Sequence, residues 1–450
     1  MCRGRPDPPR ADLDICPKAG YGCRFRAVST GQGVTIRAAV SRGVGIPTGI
    51  EDVHLAAPGP GEVRVEVKAC AVCHSDLSYL DGTWATDFPL VLGHEATGHV
   101  LEIGVKPGET TSGEGPDGQH DQRHEGWADL SVGDPVVISL IRTCGNCRAC
   151  LRSHDVACTG DIALNATSPL TDTNGAPLIQ GLAVGGFATE VVVHRSQVVP
   201  LPADVDLVAA SLLGCGVLTG SGAVTNTARV SAGDAVVVVG CGGVGIGAIQ
   251  AARLAGAYPI VAVDPVADKR DAALGFGATH TADPTADPTG GSTGSGHPGG
   301  HLAAVITNAT GGHLADHLLV TTGAPAALDG AIDLLAPMGQ LVIVGMAADD
   351  VTIDVAPSWL AAANKSILGS KMGSARVAVD VPALVDHHRS GRLDLAGMVS
   401  STHTLDEIQD AFNEVWRGDV VRTVVLPNGP VTGNPATAAT PKASGEPTTC

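Results

Sequence analysis

The stretch that decides the fold is AVVVVGCGGVGIGAIQAARLAGA, residues 235–257. It begins with a β-branched run, passes through a glycine-rich turn and continues in an Ala-rich pattern with helical periodicity. Two further apolar runs, PIVAVDP at 259–265 and LVIVG at 341–345, read as later strands. Because strands that alternate with helices form βαβ units, the sequence predicts an α/β fold with a parallel sheet.

The glycine turn carries the pattern G-x-G-x-x-G, formed by Gly240, Gly242 and Gly245. Taken alone the pattern is weak, since glycine-rich turns also serve close packing. Between a strand and a helix, however, it allows a pyrophosphate to approach the backbone amides at the helix N-terminus. We therefore interpret the turn, including Gly243 and Val244, as a dinucleotide-binding loop of the Rossmann type.

An acidic residue follows the loop at the distance expected for ribose recognition. Asp264 ends the next apolar run, about 20 residues past Gly245. Its carboxylate can accept both ribose hydroxyls and would repel a 2′-phosphate, which favours NAD over NADP. Lys269, five residues later, is placed to reach the ribose from the other side, although a solvated helix lysine explains it equally well.

Four cysteines predict a structural metal site. Cys144, Cys147, Cys150 and Cys158 stand in CGNCRACLRSHDVAC with two, two and seven residues between them. Four thiolates in one short lobe hold a Zn²⁺ ion tetrahedrally and leave no position open for chemistry. The clustered spacing also favours metal thiolates in a reducing cytoplasm over disulfides.

Bulk composition excludes several classes. The 450 residues allow two domains, and 44% hydrophobic with 16% charged residues is typical of a globular protein. The net charge of −18 argues against a nucleic-acid surface and against anionic membrane. The N-terminal MCRGRPDPPRADLD is charged and Pro-rich without an apolar run, so it does not resemble a secretory signal.

Regular strand patterns begin at VTIRAAV (34–40) and GEVRVEVKAC (61–70). Residues 1–32 and 428–450 are predicted to be disordered, 108–128 to be an inserted surface loop, and the low-complexity segment 283–300 to be a flexible excursion.

Three separate residues are candidates for a second, open metal site. Cys73 lies in CAVCHSD, His94 in LVLGHEATG and Cys215 in LLGCGVLTG. Two thiolates and an imidazole would leave a fourth position on zinc for an alcohol oxygen. No local spacing links the three, however, and a buried cysteine or a histidine in a turn explains each of them on its own.

These motifs together resemble the zinc-dependent medium-chain alcohol dehydrogenases. CHSD, GHE, the four-cysteine lobe, the glycine loop and the C-terminal RTVVLP occur in the order that is seen in that family. The resemblance runs from about residue 34 to 427, without the two insertions and both tails. It implies a β-rich GroES-like catalytic domain at 33–205, with the zinc lobe at 144–158, a Rossmann domain at 206–366 and a return to the catalytic domain at 367–427.

The resemblance also implies roles for individual residues. Cys73, His94 and Cys215 match the ligands of a catalytic zinc, which with the four-cysteine site makes two zinc ions per chain. Further matches lie around them: Glu95 beside the metal, Asp76 orienting the ligand histidine, Ser75 taking the substrate proton, His74 and Arg422 at the cofactor pyrophosphate, and Thr219 at the nicotinamide. One position departs from the family, because Ser78 stands where many members have the outer histidine of a proton relay.

The implied reaction is oxidation of an alcohol to an aldehyde or ketone with NAD. Zinc lowers the pKa of the alcohol so that an alkoxide forms, and hydride passes to C4 of the nicotinamide. Trp84 matches a pocket-lining position that suits small primary alcohols, although a core or surface tryptophan explains it too. A formaldehyde dehydrogenase acting on thiol adducts, and a non-catalytic dinucleotide-binding protein, stay open as alternatives. The resemblance implies a homodimer or homotetramer.

Overall fold

The computed structural model describes residues 26–27, 33–104, 129–286, 300–418 and 420–431. The predictions for the loop at 108–128 and for most of both tails lie outside these residues, as does 287–299 of the low-complexity segment. At two places the chain is ordered where the sequence predicts a disordered tail. Arg26 and Ala27 form backbone pairs with the short strand Thr167–Ser168. Asn428 donates hydrogen bonds of 2.8 Å to the carbonyls of Val67 and Thr189.

The described residues form strands throughout the chain. In chain order they are β1 (Arg26–Ala27), β2 (Val34–Ser41), β3 (Gly49–Leu55), β4 (Glu62–Ala71), β5 (Leu90–Val91), β6 (Glu95–Ile103), β7 (Pro135–Ile138), β8 (Thr167–Ser168), β9 (Leu170–Thr171), β10 (Pro177–Gln180), β11 (Glu190–His194), β12 (Val198–Pro200), β13 (Val236–Val239), β14 (Ile260–Val263), β15 (His280–Ala282), β16 (Ala315–Val320), β17 (Leu335–Ile343), β18 (Ser366–Gly369), β19 (Val399–Thr404) and β20 (Arg422–Leu426).

The helices concentrate in the second half of the chain. They are α1 (His74–Leu80), α2 (Ala163–Ala166), α3 (Leu207–Ala210), α4 (Gly216–Gly222), α5 (Gly243–Ala255), α6 (Ala267–Phe276), α7 (Gly300–Ala309), α8 (Pro357–Ala362), α9 (Val377–Arg389) and α10 (Ile408–Arg417). Among the described residues no single helix is long and apolar enough to span a membrane, whereas the bent pair Leu207–Gly214 and Gly216–Ala228 meets the limits of length and composition together.

Six parallel strands form the sheet that the glycine-loop stretch predicts. Their order is β15-β14-β13-β16-β17-β18. The chain therefore runs outward in one direction from β13 and then in the other from β16, which is the doubly wound arrangement of the Rossmann type. The order reverses between β13 and β16, and ligands of such sheets bind in the crevice beyond the carboxyl ends of these two strands.

Burial explains why β13 reads as a continuous apolar run. All four of its valines are buried, and they alternate between two cores: Val236 and Val238 on one face, Val237 and Val239 on the other. A parallel sheet covered on both faces has no solvated side, so it shows no polar alternation. The predicted parallel sheet is thus confirmed.

The first part of the chain is β-rich, as predicted. A closed barrel has the strand order β10-β5-β2-β3-β9, and a second sheet has the order β12-β7-β6-β4-β20-β19, with β11 paired to β4. Strand β20, from the C-terminal end of the chain, is antiparallel to β4 and places Val424 opposite Ala71. This return brings Arg422 close to the residues that follow β4.

Helix α10 holds β19 and β20 in place. Its apolar side is formed by Ile408, Ala411, Phe412 and Val415, which are buried at helical spacing. On another side, the Glu414 carboxylate accepts hydrogen bonds from the hydroxyls of Ser401 and Thr423 and from His403 Nε2 at 3.1 Å. Glu414 thereby ties the helix to both strands, one of which carries Arg422.

Replacing Glu414 by glutamine is expected to lower the free energy of unfolding by about 1–2 kcal/mol at pH 7. Burial alone would raise the pKa of Glu414, but the hydrogen bonds from Ser401, His403 and Thr423 bring it below its usual value. A carboxylate with a depressed pKa stabilises the fold above the unfolded pKa of about 4.3, and this contribution is lost as the pH falls through the folded pKa. The difference between the two proteins should therefore shrink below about pH 4.

Urea unfolding of both proteins at pH 7 and at acid pH measures this difference. Asp410→Asn, at an exposed position of the same helix, is the control and should leave the free energy of unfolding nearly unchanged. Equal stability of wild type and Glu414→Gln at pH 7 would contradict the argument, as would a difference that persists unchanged in acid.

Candidate active site

Four buried side chains converge where the β-rich part meets the parallel sheet. One donor atom each from Cys73, His94, Glu95 and Cys215 lies within 4.8 Å of all the others. Cys73 precedes helix α1, the adjacent His94 and Glu95 stand at the start of β6, and Cys215 sits at the break before helix α4. The fold thus brings together the three candidates that no local spacing connects.

The orientation of His94 shows that this cluster fits a metal ion. Its Nδ1 lies 3.2 Å from Asp76 Oδ1, and Asp76 also accepts hydrogen bonds from the amides of Cys73 (3.1 Å) and Gly93 (2.9 Å). Within the described part of the chain, His94 Nε2 is buried without a hydrogen-bond partner. A buried imidazole nitrogen within 4.8 Å of two sulfurs is suited to a soft divalent cation such as Zn²⁺.

The two thiols of the cluster differ in pKa. A hydrogen bond from the Cys215 thiol lowers the pKa of Cys73 well below its usual value, although burial opposes this. The same hydrogen bond, together with burial, raises the pKa of Cys215. Since zinc binds thiolates, occupation of the site would release the remaining proton.

Glu95 forms a fully buried ion pair with Arg422. Burial raises the pKa of Glu95 to about 7, against the opposing charge of Arg422. Arg422 also packs against the glycine loop, because a Cβ added to Gly243 would lie 2.3 Å from Arg422 Cδ. One arginine thus touches both the metal cluster and the nucleotide loop. The resemblance implied a place for Arg422 at the cofactor, but not its ion pair with Glu95.

The glycines of the loop have three different surroundings. Gly240 has a φ of 98°, a conformation that favours glycine, where the chain leaves β13. A Cβ at Gly245 would lie 1.7 Å from the carbonyl oxygen of Gly240, so only glycine permits the helix to approach the strand. At Gly242 an added Cβ would meet nothing within 4 Å, so this backbone faces open space, where a pyrophosphate can approach it.

The residues predicted to bind the ribose lie at the end of the adjacent strand, β14, and in the helix after it. Asp264 follows β14 and is 7% exposed. Its two carboxylate oxygens accept hydrogen bonds from the amides of Cys241 (2.8 Å) and Val266 (2.9 Å), which fixes the carboxylate beside the loop. Lys269 is half-buried in the first turn of α6, on the same side of the sheet, and Val244 is half-buried in the loop itself.

Helix α4 links the metal cluster to the nucleotide loop. It starts after Cys215 and packs directly on α5, since a Cβ at Gly220 would lie 2.1 Å from the carbonyl oxygen of Val244. Thr219, one turn after Cys215, places its Oγ1 3.9 Å from Cys215 Sγ. Both side chains are buried and lie on or directly before the helix that joins the cluster to the loop.

The remaining candidates lie on helix α1, directly after Cys73, and in the segment that follows it. His74 is exposed and Ser75 half-buried, directly after Cys73. The Ser78 hydroxyl donates a 3.0 Å hydrogen bond to the carbonyl of His74 and is thus engaged with its own helix. Trp84 packs edge-to-face on Tyr79, with ring centroids 5.5 Å apart.

The four-cysteine lobe is assembled as its spacing predicts. One sulfur each from Cys144, Cys147, Cys150 and Cys158 lies within 4.8 Å of the others. Backbone amides also point at the sulfurs: that of Cys147 donates to Cys144 Sγ and that of Cys144 to Cys158 Sγ, both at 3.3 Å. A hydrogen bond from the Cys150 amide lowers the pKa of Cys147 to about 6, which favours the thiolate that zinc needs.

Comparison with known proteins identifies the class. The model of the alcohol dehydrogenase GroES-like domain matches residues 59–203, and that of the zinc-binding dehydrogenases matches residues 243–387. Alcohol dehydrogenase B of Mycobacterium tuberculosis is 32% identical over 84% of this chain and 95% of its own length. S-(hydroxymethyl)glutathione dehydrogenase of Paracoccus denitrificans is 31% identical over 87% of this chain and 99% of its own.

A solved structure has the same fold. The crystal structure of benzyl alcohol dehydrogenase from Acinetobacter calcoaceticus superposes with a TM-score of 0.74 at 27% identity, covering 87% of this chain and 99% of that one. The fold and site thus define an oxidoreductase built from a GroES-like and a Rossmann-type domain. The chain belongs to the zinc-dependent medium-chain alcohol dehydrogenase family, as its motifs indicated.

Proposed function

We propose that this protein is an NAD-dependent zinc alcohol dehydrogenase that oxidises an alcohol to an aldehyde or ketone. The observation that carries the proposal is the buried Nε2 of His94, which has no hydrogen-bond partner among the described residues and lies close to the sulfurs of Cys73 and Cys215. Its family membership and its alcohol dehydrogenase relatives support the reaction class.

Each chain would hold two zinc ions, a catalytic one on Cys73, His94 and Cys215 and a structural one on the four-cysteine lobe. When bound, the catalytic zinc would lower the pKa of the alcohol, and NAD would accept the hydride. Asp76 fixes His94 in one ring orientation through Nδ1. Ser75 takes the alcohol proton and, since the Ser78 hydroxyl is bonded to its own helix, passes it towards water.

The chain's own residues would hold the cofactor in four places. The amides of the glycine loop, with His74 and Arg422, bind the pyrophosphate. Asp264 and Lys269 bind the ribose, and the Asp264 carboxylate disfavours a 2′-phosphate, so NAD is preferred over NADP. Thr219 and Val244 contact the nicotinamide end. In this proposal 33–205 and 367–427 form the catalytic domain and 206–366 the nucleotide domain of a cytoplasmic homodimer or homotetramer.

A second candidate function is oxidation of thiol adducts of formaldehyde. The resemblance to the S-(hydroxymethyl)glutathione dehydrogenase of Paracoccus denitrificans favours it. The chemistry of the metal and of the cofactor would be the same, and the alternatives differ only in the substrate pocket, where Trp84 is the proposed wall of a site for small primary alcohols.

A substrate screen tests both functions. NADH formation is followed with ethanol, benzyl alcohol, and formaldehyde with and without glutathione, each with NAD and with NADP, on protein whose zinc content has been measured. We expect two zinc ions per chain and NAD reduction by at least one alcohol. Reduction only by formaldehyde with the thiol would select the second function. One zinc per chain and no NADH from any substrate would leave a non-catalytic dinucleotide-binding protein.

A further inference from the structure

One methionine touches both a proposed metal ligand and the residue proposed to face the nicotinamide. The sulfur of Met372 lies 3.6 Å from Cys215 Sγ and 3.5 Å from Thr219 Oγ1. Met372 is 9% exposed and shares an apolar cluster with Cys215, against which Val244 of the glycine loop packs. The thioether thus contacts one member of the metal cluster and helix α4, within the apolar core on which the glycine loop packs.

The backbone at Met372 adopts a conformation that long side chains rarely take. Met372, Gly373 and Ser374 have φ values of 49°, 66° and 50° in succession. Left-handed conformations at residues other than glycine persist only where the surroundings enforce them, and they are frequent at ligand-binding sites. The turn Lys371–Ser374 follows β18, the edge strand of the parallel sheet, whose carboxyl end lies at the same edge of the sheet as that of β13.

Helix α4 and the residues after it enforce this conformation. A Cβ added to Gly373 would lie 2.5 Å from the carbonyl oxygen of Thr219, so the turn is pressed against the helix that follows Cys215. The helix continues in a π-helical turn, Ala223–Ala228, a feature frequent at functional sites. From this turn, Thr227 Oγ1 bonds the hydroxyls of Ser370 (2.8 Å) and Ser374 (3.0 Å).

We propose that Met372 is a positioning residue for hydride transfer. Its thioether forms the wall that sets where the nicotinamide ring stands relative to Cys215 and hence relative to the reacting carbon. This rests on the proposed function. The side chain fills this place with enough apolar volume to pack on the ring, which an alanine on the same backbone could not do. Truncation of Met372 would leave the nicotinamide ring less well positioned. It would therefore slow hydride transfer rather than abolish cofactor binding.

The test compares Met372→Ala and Met372→Leu with Met338→Ala. Met338 is a matched control, because it also has a positive φ, 69°, but is 69% exposed and lies away from the crevice. Single-turnover hydride transfer from protio and deuterio alcohol should slow by about ten- to a hundredfold in Met372→Ala, with the Kd for NADH changed less than about threefold. Met372→Leu, which keeps the bulk, and Met338→Ala should stay within about threefold of wild type.

Should Met372→Ala fail to fold, Met372→Gly removes the thioether while suiting the left-handed backbone, and the same slowing is expected. A second readout needs no turnover: in protein loaded with Co²⁺, loss of the thioether should shift the thiolate-to-metal absorption band of Cys215. Wild-type transfer rates in Met372→Ala, equal slowing in Met372→Leu, or an unshifted cobalt band would overturn the proposal. Absence of alcohol-dependent NADH in wild type would refute the proposed function instead, while the cobalt band would still test Met372.

Discussion

Replacing His94 by alanine is expected to lower alcohol-dependent NAD reduction at least about a thousandfold, because the proposed catalytic zinc would lose its only nitrogen ligand and with it several kcal/mol of charge stabilisation. The fold should persist, since the Asp76 carboxylate keeps its hydrogen bonds to the amides of Cys73 and Gly93. Zinc content should fall from two ions per chain to one, because the four-cysteine site is made of other residues. Elemental analysis, circular dichroism and NADH absorbance measure the three effects.

His99→Ala is the matched control for His94→Ala. His99 lies on the same strand, β6, and is half-buried, but it does not belong to the metal cluster. It should keep both zinc ions and nearly all activity. A His94→Ala protein that retained a tenth of the wild-type rate, or that lost both metals together, would show that the cluster is not an independent catalytic site.

Replacing Arg422 by methionine should destabilise the protein by about 3–5 kcal/mol, because it leaves the Glu95 carboxylate buried without its partner. Glu95 is fully buried, and Arg422 is 5% exposed. The same substitution removes the proposed pyrophosphate ligand, so the Kd for NADH should rise by about tenfold or more. Urea unfolding and NADH fluorescence titration measure the two effects separately.

The pH dependence of the Arg422→Met protein has a definite sign. Burial already raises the pKa of Glu95 to about 7 in the presence of Arg422, and loss of the arginine raises it further. A group whose pKa is raised on folding contributes its full stabilisation of the folded state only below its unfolded-state pKa. This contribution to the free energy of unfolding is lost as the pH rises through the folded-state pKa. The variant should therefore lose more stability, relative to wild type, at pH 8.5 than at pH 5.5.

Two further variants show whether the buried pair is the cause. Glu95→Gln combined with Arg422→Met should recover most of the lost stability, because no charge is then left unpaired. Arg389→Met, which breaks the surface pair of Arg389 with Asp204 (3.0 Å), should cost only about 0–1 kcal/mol. A double variant as unstable as Arg422→Met alone would mean that the lost packing of the arginine, rather than the stranded carboxylate, dominates.

Much of the fold could be predicted because its signals are local. A βαβ unit is predicted by the run of valines before Gly240 and by the Ala-rich helical pattern after it. The apolar run is uninterrupted because β13 is buried on both faces. The four-cysteine lobe is equally local, since its ligands lie within one loop and its backbone amides point at the sulfurs.

The open metal cluster was only partly predictable. Nothing in the neighbourhood of Cys73, His94 or Cys215 distinguishes them from buried thiols and a turn histidine, and family resemblance alone joined them. The position of Ser78 was visible in the sequence, but the hydrogen bond that turns its hydroxyl back to His74 was not. The choice of NAD, the substrate and the individual residue roles stay predictions.

The α/β architecture, the glycine loop and the four-cysteine lobe follow from the sequence, because short-range periodicity, backbone freedom and ligand spacing are properties of neighbouring residues. Which distant groups meet depends on the folded chain. The pairing of β20 with β4 carries Arg422 to Glu95, and the turn after β18 sets Met372 against Cys215, 157 residues away. Contacts of this kind depend on strand order and on the packing of α4, α5 and the turn at Lys371–Ser374, which no local pattern encodes.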